Sequence, residues 1–399
     1  MEKTVILTTT INVPFFLKDI CNNIIQCKHD IKKIEILVLG DVKTPKETYK
    51  FCKKLKDKTK IEIKYIDVNE QDRFLKKKFN NFIKFFPRND AIRKLIGFFY
   101  FVGAMPDRII LIDDDNYIDQ KITKDFLRGH MIVGENKKMQ IVSSKNNWPN
   151  IYKYFEVKNN IPIYPRGFPW KKRFEKLEKI EARHAKAKII ANCGFILGDP
   201  DIDAVSRLFY NIETLKVKTK KHIAIDNQNY FPLNDQNLCI EKLYIPLYFK
   251  PLAAGRNSDI WTSYLLSKIS FNFNEKISYG TPHLRQIRNK HDFWKDYELE
   301  KIHNIATDDF IDILKNINLK NKSNRLLAFM EICVKSVKYI NIKLKKIDKN
   351  KILVKTRHYH AISNKESRFR KSESLKYIKK YFIEYLQWLK EIKKIKYLY

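Results

Sequence analysis

Four short apolar runs alternate with stretches of helical spacing over the first part of the chain. Each run is bounded by polar or turn-forming residues, which is typical of buried strands in a parallel sheet. Pro14 suits the first turn of a helix, and residues 89–103 carry apolar side chains at helical spacing. This alternation predicts an α/β fold with a mostly parallel, Rossmann-like central sheet flanked by helices. The predicted strands are 4–8, 34–39, 61–66 and 108–112.

Polar side chains follow the predicted strands at the points where the strands end. Right-handed crossovers bring the carboxyl ends of parallel strands to one edge of a sheet. Thr8–Thr10, Asp41 and Asp113–Asp115 should therefore gather at that edge, where open α/β sheets bind their ligands. No GxGxxG pattern follows the first strand, which disfavours a nicotinamide or flavin enzyme.

Three consecutive carboxylates, Asp113, Asp114 and Asp115, stand at the centre of this group. Adjacent carboxylates repel one another, and the repulsion raises their pKa values unless a cation lies nearby. Oxygen ligands suit Mg²⁺ or Mn²⁺, and such an ion would in turn hold substrate phosphates. The triplet predicts a metal site, and a solvated acidic turn after a core strand is the alternative.

A loop containing two prolines and a glycine, Tyr164–Trp170, lies between two further predicted strands, 139–143 and 189–197. This composition excludes a helix interior, and the stiff loop should hold Arg166 in a fixed place. A buried arginine paired with an acid is the alternative. Asp199–Asp203 then predicts an acidic cap at the start of a short helix.

A second loop rich in hydrogen-bond donors spans Tyr279–Arg288. Its His283, Arg285 and Arg288 are candidates to coordinate a metal or a diphosphate, because guanidinium groups pair well with phosphate. A solvated loop is the alternative for all three.

The last hundred residues are lysine-rich and carry helical periodicity. We therefore predict two regions, a ligand-binding domain over 1–300 and a basic helical appendage over 301–399. Residues 375–399 combine an apolar stripe with a basic face. A packed terminal helix and a helix lying on an anionic membrane surface both fit that pattern.

The charge balance changes the range of partners to consider. The chain has 79 Lys and Arg against 45 Asp and Glu, a formal net charge of +34. Such an excess indicates an anionic partner, although a compositional bias toward lysine explains it equally well. No RRM, zinc-finger or homeodomain pattern is present, so nucleic-acid binding is disfavoured.

Three features of the sequence bear on localisation. The start of the chain suits a first strand better than a signal peptide, and no apolar run is long enough for a bilayer. The six cysteines form no CxxC pair. These features predict a cytoplasmic protein.

Several segments in order resemble two related families. The segments are Gly40–Pro45, Arg93–Gly97 before Ile112–Asn116, Pro165–Pro169, and Gly198–Ala204. Their order resembles the glycosyltransferase-like domain of the STELLO proteins. The later half, including Phe231-Pro-Leu-Asn and Asp259-Ile-Trp261, is similar to the reversibly glycosylated polypeptides, which are UDP-arabinopyranose mutases. Both families have the GT-A fold, and the resemblance covers roughly residues 1–300.

The resemblance implies roles for individual residues in a nucleotide-sugar site. Asp113, Asp114 and Asp115 match the metal motif that bridges the diphosphate to Mn²⁺ or Mg²⁺. Thr8, Thr9 and Asp41 would face the base and ribose, and Arg93 would lie near the nucleotide. Arg166 aligns with the arginine that becomes glycosylated in the mutases. Asp259 falls where many inverting enzymes keep the carboxylate base, and its alternative role is to cap the helix from Ile260.

These observations predict a metal-dependent GT-A glycosyltransferase that builds a cell-surface glycan from a nucleoside-diphosphate sugar. A metal with arginines would neutralise the departing diphosphate, and a base would take the proton of the acceptor hydroxyl. The basic C-terminal region would hold the enzyme near a membrane that carries a lipid-linked acceptor. The alternatives are a nucleotide-sugar mutase or self-glycosylating protein that uses Arg166, a catalytically silent scaffold, and a nucleic-acid-binding protein.

Overall fold

The computed structural model describes residues 2–173, 179–219, 221–321, 323–348 and 364–396, with the side chains of 364–368 left aside. The strands of the described residues form one twelve-stranded sheet. They are β1 (Thr4–Thr10), β2 (Ile34–Gly40), β3 (Glu62–Ile66), β4 (Arg108–Asp113), β5 (Asn116–Tyr117), β6 (Asn136–Ser143), β7 (Phe155–Val157), β8 (Glu181–Gly198), β9 (Thr214–Val217), β10 (Ile223–Ile225), β11 (Asn237–Glu241) and β12 (Glu275–Gln286).

Helices connect these strands and follow the last of them. The α-helices are α1 (Phe16–Gln26), α2 (Glu47–Thr59), α3 (Val68–Lys78), α4 (Phe126–His130), α5 (Trp170–Arg173), α6 (Ala204–Phe209), α7 (Ser258–Asn272), α8 (Phe293–Asn316), α9 (Arg325–Asp348) and α10 (Asn364–Ile392). Short 3₁₀ helices cover Ile31–Lys33, Asn80–Phe85, Ala91–Phe101, Ile151–Tyr154, Ile245–Leu247 and Leu252–Asn257.

The first four long strands form the parallel half of the sheet, in the order β3, β2, β1, β4. Thr8 in β1 lies level with Val38 in β2 on one side and Ile112 in β4 on the other. Successive side chains of a strand point to opposite faces, and here each face is apolar. Ile6 joins the core under α1 and α2, while Val5 and Leu7 join the core under the 3₁₀ segment and the C-terminal helices. The four predicted strands and the Rossmann-like arrangement are confirmed.

The segment predicted as an α-helix over 89–103 is a 3₁₀ helix over Ala91–Phe101. It runs close against β1, since a Cβ added to Gly97 would lie only 2.8 Å from Leu7 Cδ2. The helical type differs from the prediction, but the segment packs on the sheet and precedes β4 as expected.

The second half of the sheet is mixed. β11 is antiparallel to both β4 and β8 and joins the parallel half to the rest. The long β8 pairs antiparallel with β6 and parallel with β12, and β10 pairs with both β6 and β12. The strands predicted at 139–143 and 189–197 lie within β6 and β8. Asp203 caps α6, as the acidic segment before it predicts, by accepting a hydrogen bond from the Ser206 amide.

The C-terminal helices pack against this sheet and its covering segments. Trp388 of α10 is fully buried, stacks on Phe249 with ring centroids 4.5 Å apart, and donates its indole N–H to the carbonyl oxygen of Pro246. The apolar stripe at residues 375–389 is therefore largely buried in the protein, and the interpretation in which that stripe lies in a membrane surface is wrong.

The domain boundary predicted at 300 falls inside α8. No helix in the part of the chain that the structure describes is long and apolar enough to span a bilayer.

Candidate functional site

A cavity of about 290 Å³ lies at the carboxyl ends of β1, β2 and β4. β2 lies on one side of β1 and β4 on the other, which makes this a point where the strand order reverses and where doubly wound sheets bind ligands. We call it the strand-end cavity. Its lining residues are Thr9, Thr10, Ile11, Asp41, Lys43, Asn89, Asp90, Ala91, Asp113, Asp114, Asp115 and Asn289.

Asp113 is paired with Lys94, a fully buried lysine of the 3₁₀ segment. The Lys94 ammonium also donates to the carbonyl oxygen of Asp235 at 3.1 Å, and the Asp235 carboxylate in turn accepts from Lys250 at 2.6 Å. Two buried cations therefore balance two carboxylates under the floor of the cavity. The sequence analysis did not predict this network, although Lys94, next to Arg93 in a segment whose other residues are apolar or small, is a visible signal.

Asp114 faces the other wall. Its Oδ2 accepts hydrogen bonds from Thr10 Oγ1 at 2.8 Å and from the side-chain amide of Asn12 at 3.3 Å. These contacts tie the acidic turn after β4 to the chain that leaves β1. Asp114 therefore shapes the cavity and has only part of its carboxylate free for a ligand.

Asp115 is held from β12. The Gln286 side-chain amide donates to Asp115 Oδ2 at 3.0 Å, and Gln286 Oε1 accepts from Arg288 at 3.3 Å. Burial, followed by repulsion from Asp113, raises the pKa of Asp115 to about 6. A carboxyl group in this state gains stability from a nearby cation in its ionised form.

The three carboxylates therefore point to three different partners. Among the described residues, the one set of three or more Asp, Glu, His and Cys ligands close enough to share an ion is elsewhere, at Cys27, His29 and Asp125. Two buried amide oxygens that belong to neighbours of the triplet, Asn116 Oδ1 and Gln236 Oε1, have no hydrogen-bond partner. Oxygen-only donors of this kind fit Mg²⁺ or Mn²⁺, which need only one or two carboxylates when substrate phosphates supply further ligands.

Of the strand-end residues predicted to face a nucleotide, Thr9 and Asp41 line the cavity and Thr8 does not. Thr8 is fully buried, and its hydroxyl donates to the carbonyl oxygen of Thr9. Thr10 lines the cavity in its place. Asp41 Oδ2 accepts a hydrogen bond from the Asp90 amide at 3.2 Å, which links β2 to the start of the 3₁₀ segment.

Arg93 does not line the cavity, and its predicted place near the nucleotide is not supported by this geometry. Its guanidinium is fully buried and donates to Gln71 Oε1 at 3.0 Å and to Asp72 Oδ1 at 2.7 Å. It also donates to the carbonyl oxygen of Phe86. Arg93 fastens α3 to the 3₁₀ segments on the face away from Lys94.

Arg166 and Asp259 bind each other in the interior. Arg166 forms a two-point ion pair with Asp201 at 2.9 and 3.0 Å, and its Nη2 lies 3.0 Å from Asp259 Oδ2. Its remaining N–H groups reach Asn257 Oδ1 and the carbonyl oxygen of Arg256. The alternative of a buried arginine paired with acids is the observed one, and neither residue lines the strand-end cavity. The roles of glycosylated arginine and catalytic base predicted from the resemblance are not supported by this geometry.

Asp259 also accepts a hydrogen bond from the Ile260 amide at the start of α7. Two effects act on the pKa of the Asp201 carboxyl. Burial raises this pKa, but the neighbouring Arg166 guanidinium lowers it by more, so the net shift is downward. The cluster joins the loop after β8, the Tyr164–Trp170 loop and α7 into one rigid unit.

His283 does not line the strand-end cavity, and its predicted role as a ligand to the same metal as the triplet is not supported by this geometry. It is buried, its Nε2 has no hydrogen-bond partner, and burial lowers its pKa to about 4. It lines a different cavity of about 810 Å³ that is bordered by the basic side chains of Lys124, Arg128 and Lys137.

Arg285 and Arg288 flank a third cavity, of about 610 Å³, which we call the aromatic groove. Arg285 lines it and pairs with Asp119 at 3.2 Å, while Arg288 Nε lies 2.6 Å from Asp199 Oδ2. Neither arginine lines the strand-end cavity, but Arg288 orients Gln286 toward Asp115. The groove is lined by Gly198, Asp199, Arg207, Leu208, Phe209, Tyr210, Asn211, Ile212, Glu213, Arg285, Gln286, Ile287 and Phe293.

Comparison with known proteins gives distant structural likenesses only. No protein-family model matches the chain, and no curated protein matches it. The mannosyltransferase PcManGT from Pyrobaculum calidifontis, solved with GDP-Man and Mn²⁺, is 11% identical over 98% of this chain and 86% of that one, with a TM-score of 0.40. S. aureus TarS 1-349 with UDP is 11% identical over 94% and 90%, with a TM-score of 0.36. GalNAc-T7 with UDP, GalNAc and Mn²⁺ is 7% identical over 79% and 50%, with a TM-score of 0.34. The description of the fold rests on the strand order of this chain itself.

Proposed function

We propose that the protein is a glycosyltransferase that takes its sugar from a nucleoside-diphosphate donor bound in the strand-end cavity. The observation that carries this proposal is the position of Asp113, Asp114 and Asp115 at the strand-order reversal between β1 and β4. The oxygen donors there suit a divalent ion, and the cavity is the place where this class of sheet receives a nucleotide.

Thr9, Thr10 and Asp41 would contact the nucleoside half of the donor, since they line the wall formed by β1 and β2. Asp115, with part of Asp113 or Asp114, would hold Mn²⁺ or Mg²⁺ beside the diphosphate. Such an ion supplies positive charge to the leaving diphosphate. Lys43, which also lines the cavity, would add a positive charge from the protein.

The aromatic groove is the proposed acceptor site. One hydrogen bond links the groove to the strand-end cavity: Gln286, which lines the groove, donates to Asp115, which lines the cavity. Phe209 is 76% exposed and Ile287 is 62% exposed. Exposed apolar side chains gathered in one concavity usually mark a binding site, and flat aromatic faces suit the apolar face of a sugar ring.

In the reaction, the bond between the anomeric carbon and the diphosphate breaks, and the nucleoside diphosphate leaves with the bonding electron pair. The oxygen of an acceptor hydroxyl forms the new bond to that carbon and releases its proton to water. The donor diphosphate would lie in the strand-end cavity, with the acceptor sugar reaching it from the groove past Gln286. We extend the proposal to a glycan or glycolipid acceptor that is assembled at the cytoplasmic face of a membrane. The net charge of +34 supports contact with an anionic surface.

The mutase and self-glycosylating alternatives derive less support from the geometry. Both require the guanidinium of Arg166 to meet the sugar, but that group is buried and bonded to Asp201 and Asp259. Transfer to it would require the loss of those ion pairs. The family likeness to the STELLO domain remains part of the proposal, as it needs only the strand-end residues.

Donor binding tests the proposal directly. UDP-, GDP-, CDP- and ADP-sugars are titrated with and without Mn²⁺, and thermal stability is recorded. A true donor at 100 times its Kd stabilises the protein by about 2.7 kcal/mol, and the paired change Asp113→Asn with Asp115→Asn should abolish the stabilisation. Asp119→Asn is the matched control, since Asp119 follows β5 shortly after the triplet, does not line the strand-end cavity and pairs with Arg285.

Equal stabilisation of the double variant and the native chain by every donor would exclude the strand-end cavity as the site. Incubation with a labelled donor then separates the alternatives. Label passed to an added glycan supports the transferase, label that stays on the protein supports self-glycosylation, and donor binding without turnover indicates a silent scaffold.

A further inference from the structure

Cys27, His29 and Asp125 bring a thiol sulfur, an imidazole nitrogen and a carboxylate oxygen to within 4.8 Å of one another. His29 Nε2 lies 2.8 Å from Asp125 Oδ1, and Cys27 Sγ lies 3.3 Å from the carbonyl oxygen of Lys124. None of the three residues lines the strand-end cavity. The end of α1 that carries Cys27 also faces away from that cavity, since α1 leads from the carboxyl end of β1 toward the amino end of β2.

The backbone at the end of α1 fixes the first two groups. Cys27 closes the helix with its N–H bonded to the carbonyl oxygen of Asn23. Lys28 follows in the left-handed conformation with φ of 55°, and the His29 amide then donates back to the carbonyl oxygen of Ile24. This turn reverses the chain within one residue, so that the side chains of Cys27 and His29 converge.

Asn23 fixes the distance from this turn to the third group. Its side-chain N–H donates to the carbonyl oxygen of Lys124 at 3.1 Å, and its Oδ1 accepts from the Phe126 amide at 2.8 Å. The two bonds flank Asp125 on both sides. Asn23 is buried, so α1 and the segment before α4 are joined where the three candidate ligands meet.

The chemistry of the set selects the ion. A sulfur, a nitrogen and an oxygen donor together are typical of Zn²⁺, which prefers four ligands at about 2.0–2.3 Å. Mg²⁺ and Ca²⁺ prefer oxygen donors alone. The hydrogen bond between His29 and Asp125 accounts for two of the groups without a metal. The Cys27 thiol has only weak hydrogen bonds, to the carbonyl oxygen of Lys124 at 3.3 Å and to Asn23 Oδ1 at 4.0 Å.

We propose that Cys27, His29 and Asp125 bind one Zn²⁺ ion. Three protein ligands leave a fourth position for water or for a ligand from the adjoining cavity of about 810 Å³, which Asp125 also lines. On binding, the Cys27 thiol releases its proton to solvent and the thiolate joins the metal, while neutral His29 coordinates through Nε2. The site does not depend on the proposed transferase activity.

Thiol chemistry provides the first test. Cys27 is the partly exposed member of the six cysteines, and the other five are buried. A thiol reagent should therefore label one cysteine in the folded full-length chain, and Cys27→Ser should remove that label. One equivalent of Zn²⁺ should slow the labelling at least tenfold, and Co²⁺ in its place should give the sulfur-to-cobalt charge-transfer absorption that only a thiolate ligand produces.

Two ligand variants test the rest of the site. His29→Ala and Asp125→Asn should each weaken Zn²⁺ binding at least tenfold in a competition titration. Asn is as good a helix cap as Asp, so the second variant keeps the cap that Asp125 provides for the Arg128 amide. His184→Ala is the matched control, because His184 is an exposed histidine on β8.

The measurements are repeated on a chain with Asp113→Asn and Asp115→Asn, which removes the carboxylates of the strand-end cavity. Zinc binding should persist there unchanged. The proposal is overturned if Zn²⁺ leaves the labelling rate of Cys27 unaltered, if Co²⁺ gives no charge-transfer absorption, or if His29→Ala and Asp125→Asn both bind Zn²⁺ as the native chain does.

Discussion

Arg166 donates to both carboxylate oxygens of Asp259, at 3.0 and 3.3 Å, and the two side chains are buried together. Each was a candidate for chemistry on sequence grounds, one as a glycosylated arginine and the other as a base. Their contact makes them parts of one structural ion cluster with Asp201. The stability of the fold should therefore depend on this cluster.

Breaking the Arg166 cluster should destabilise the protein strongly. Arg166→Met leaves Asp201 and Asp259 buried without their cation, and removal of one partner from a buried ion pair costs about 3–5 kcal/mol. Urea denaturation measures the loss. Arg183→Met is the matched control, because Arg183 pairs with Asp226 at 3.0 Å but its side chain is 57% exposed, and such pairs contribute about 1 kcal/mol or less. A similar small effect for both variants would contradict the buried role.

Metal binding at the strand-end cavity should depend on pH near 6. Burial and the neighbouring Asp113 raise the pKa of Asp115 to about 6, so below that pH a proton competes with the metal for the carboxylate. The affinity for Mn²⁺ should fall up to tenfold per pH unit below about 6 and level off above about 7. Metal affinity rises with pH, but without metal the contribution of Asp115 to folding stability changes in the opposite direction. The folded state binds more protons than the unfolded state between about pH 4 and 6, so the contribution of Asp115 to stability decreases as pH rises through that window.

Asp115→Asn should remove both effects. Calorimetric titration of Mn²⁺ at several pH values measures the first, and denaturation without metal measures the second. A Mn²⁺ affinity in the native chain that is the same at pH 5 and pH 7 would show that Asp115 is not a ligand.

Lys94→Met should change stability and metal affinity in opposite directions. Lys94 neutralises Asp113 and contacts Asp235, so its loss leaves buried carboxylates uncompensated and costs about 3 kcal/mol. The same loss frees Asp113 to bind a cation, and the affinity for Mn²⁺ should rise several-fold in the protein that remains folded. Lys250→Met is the control, since Lys250 pairs with Asp235 but not with Asp113. It should lower stability and leave the affinity for Mn²⁺ nearly unchanged.

Truncation in the aromatic groove should affect the acceptor and not the donor. Phe209→Ala removes a 76% exposed ring, so the fold loses little, while the KM for the acceptor should rise about tenfold through lost apolar contact. The Kd for the donor should stay constant. Tyr49→Ala on α2 is the control, because Tyr49 is 57% exposed and lies outside the groove. An unchanged acceptor KM in the Phe209 variant would place the acceptor elsewhere.

Trp388 should anchor α10 to the rest of the fold. Its ring is fully buried against Phe249 and Phe85, and Trp388→Ala should cost about 3–5 kcal/mol. Trp294→Ala, at a ring that is 70% exposed, should cost far less in the same denaturation experiment. Binding to anionic vesicles is measured separately at several salt concentrations. Contact through basic side chains should weaken with added salt, whereas salt-independent binding would indicate insertion of apolar side chains.

The sequence predicted those features that depend on neighbouring residues. A buried strand followed at once by carboxylates places Asp113–Asp115 at a sheet edge, and the order of the first strands follows from short-range alternation. Ion pairs between side chains that are distant in sequence could not be predicted from such local patterns. Arg93 and Lys94 are adjacent, yet one fastens α3 and the other neutralises Asp113. The pattern placed both on one segment without indicating which of the two turns toward the acids.

The same limit applies to Arg166. The prolines and glycine around it correctly indicate a stiff loop, but its acidic partners come from distant segments after β8 and at the start of α7. A charged group that is fixed in place can serve catalysis or structure, and only its burial and its partners distinguish the two. Gln286 was overlooked for a related reason, because nothing in a single glutamine indicates that it will join two cavities.

The burial of Trp388 of α10 beside Phe82, Phe98 and Phe249 has a consequence for how the chain reaches its folded state. Phe82 and Phe98 are synthesised long before Trp388, which is their partner in the folded core. Before Trp388 is available, these rings form an exposed aromatic surface that is prone to aggregation. Contacts between segments so far apart in sequence also form slowly. The nascent protein should therefore be most vulnerable to aggregation, and most dependent on chaperones, just before α10 emerges.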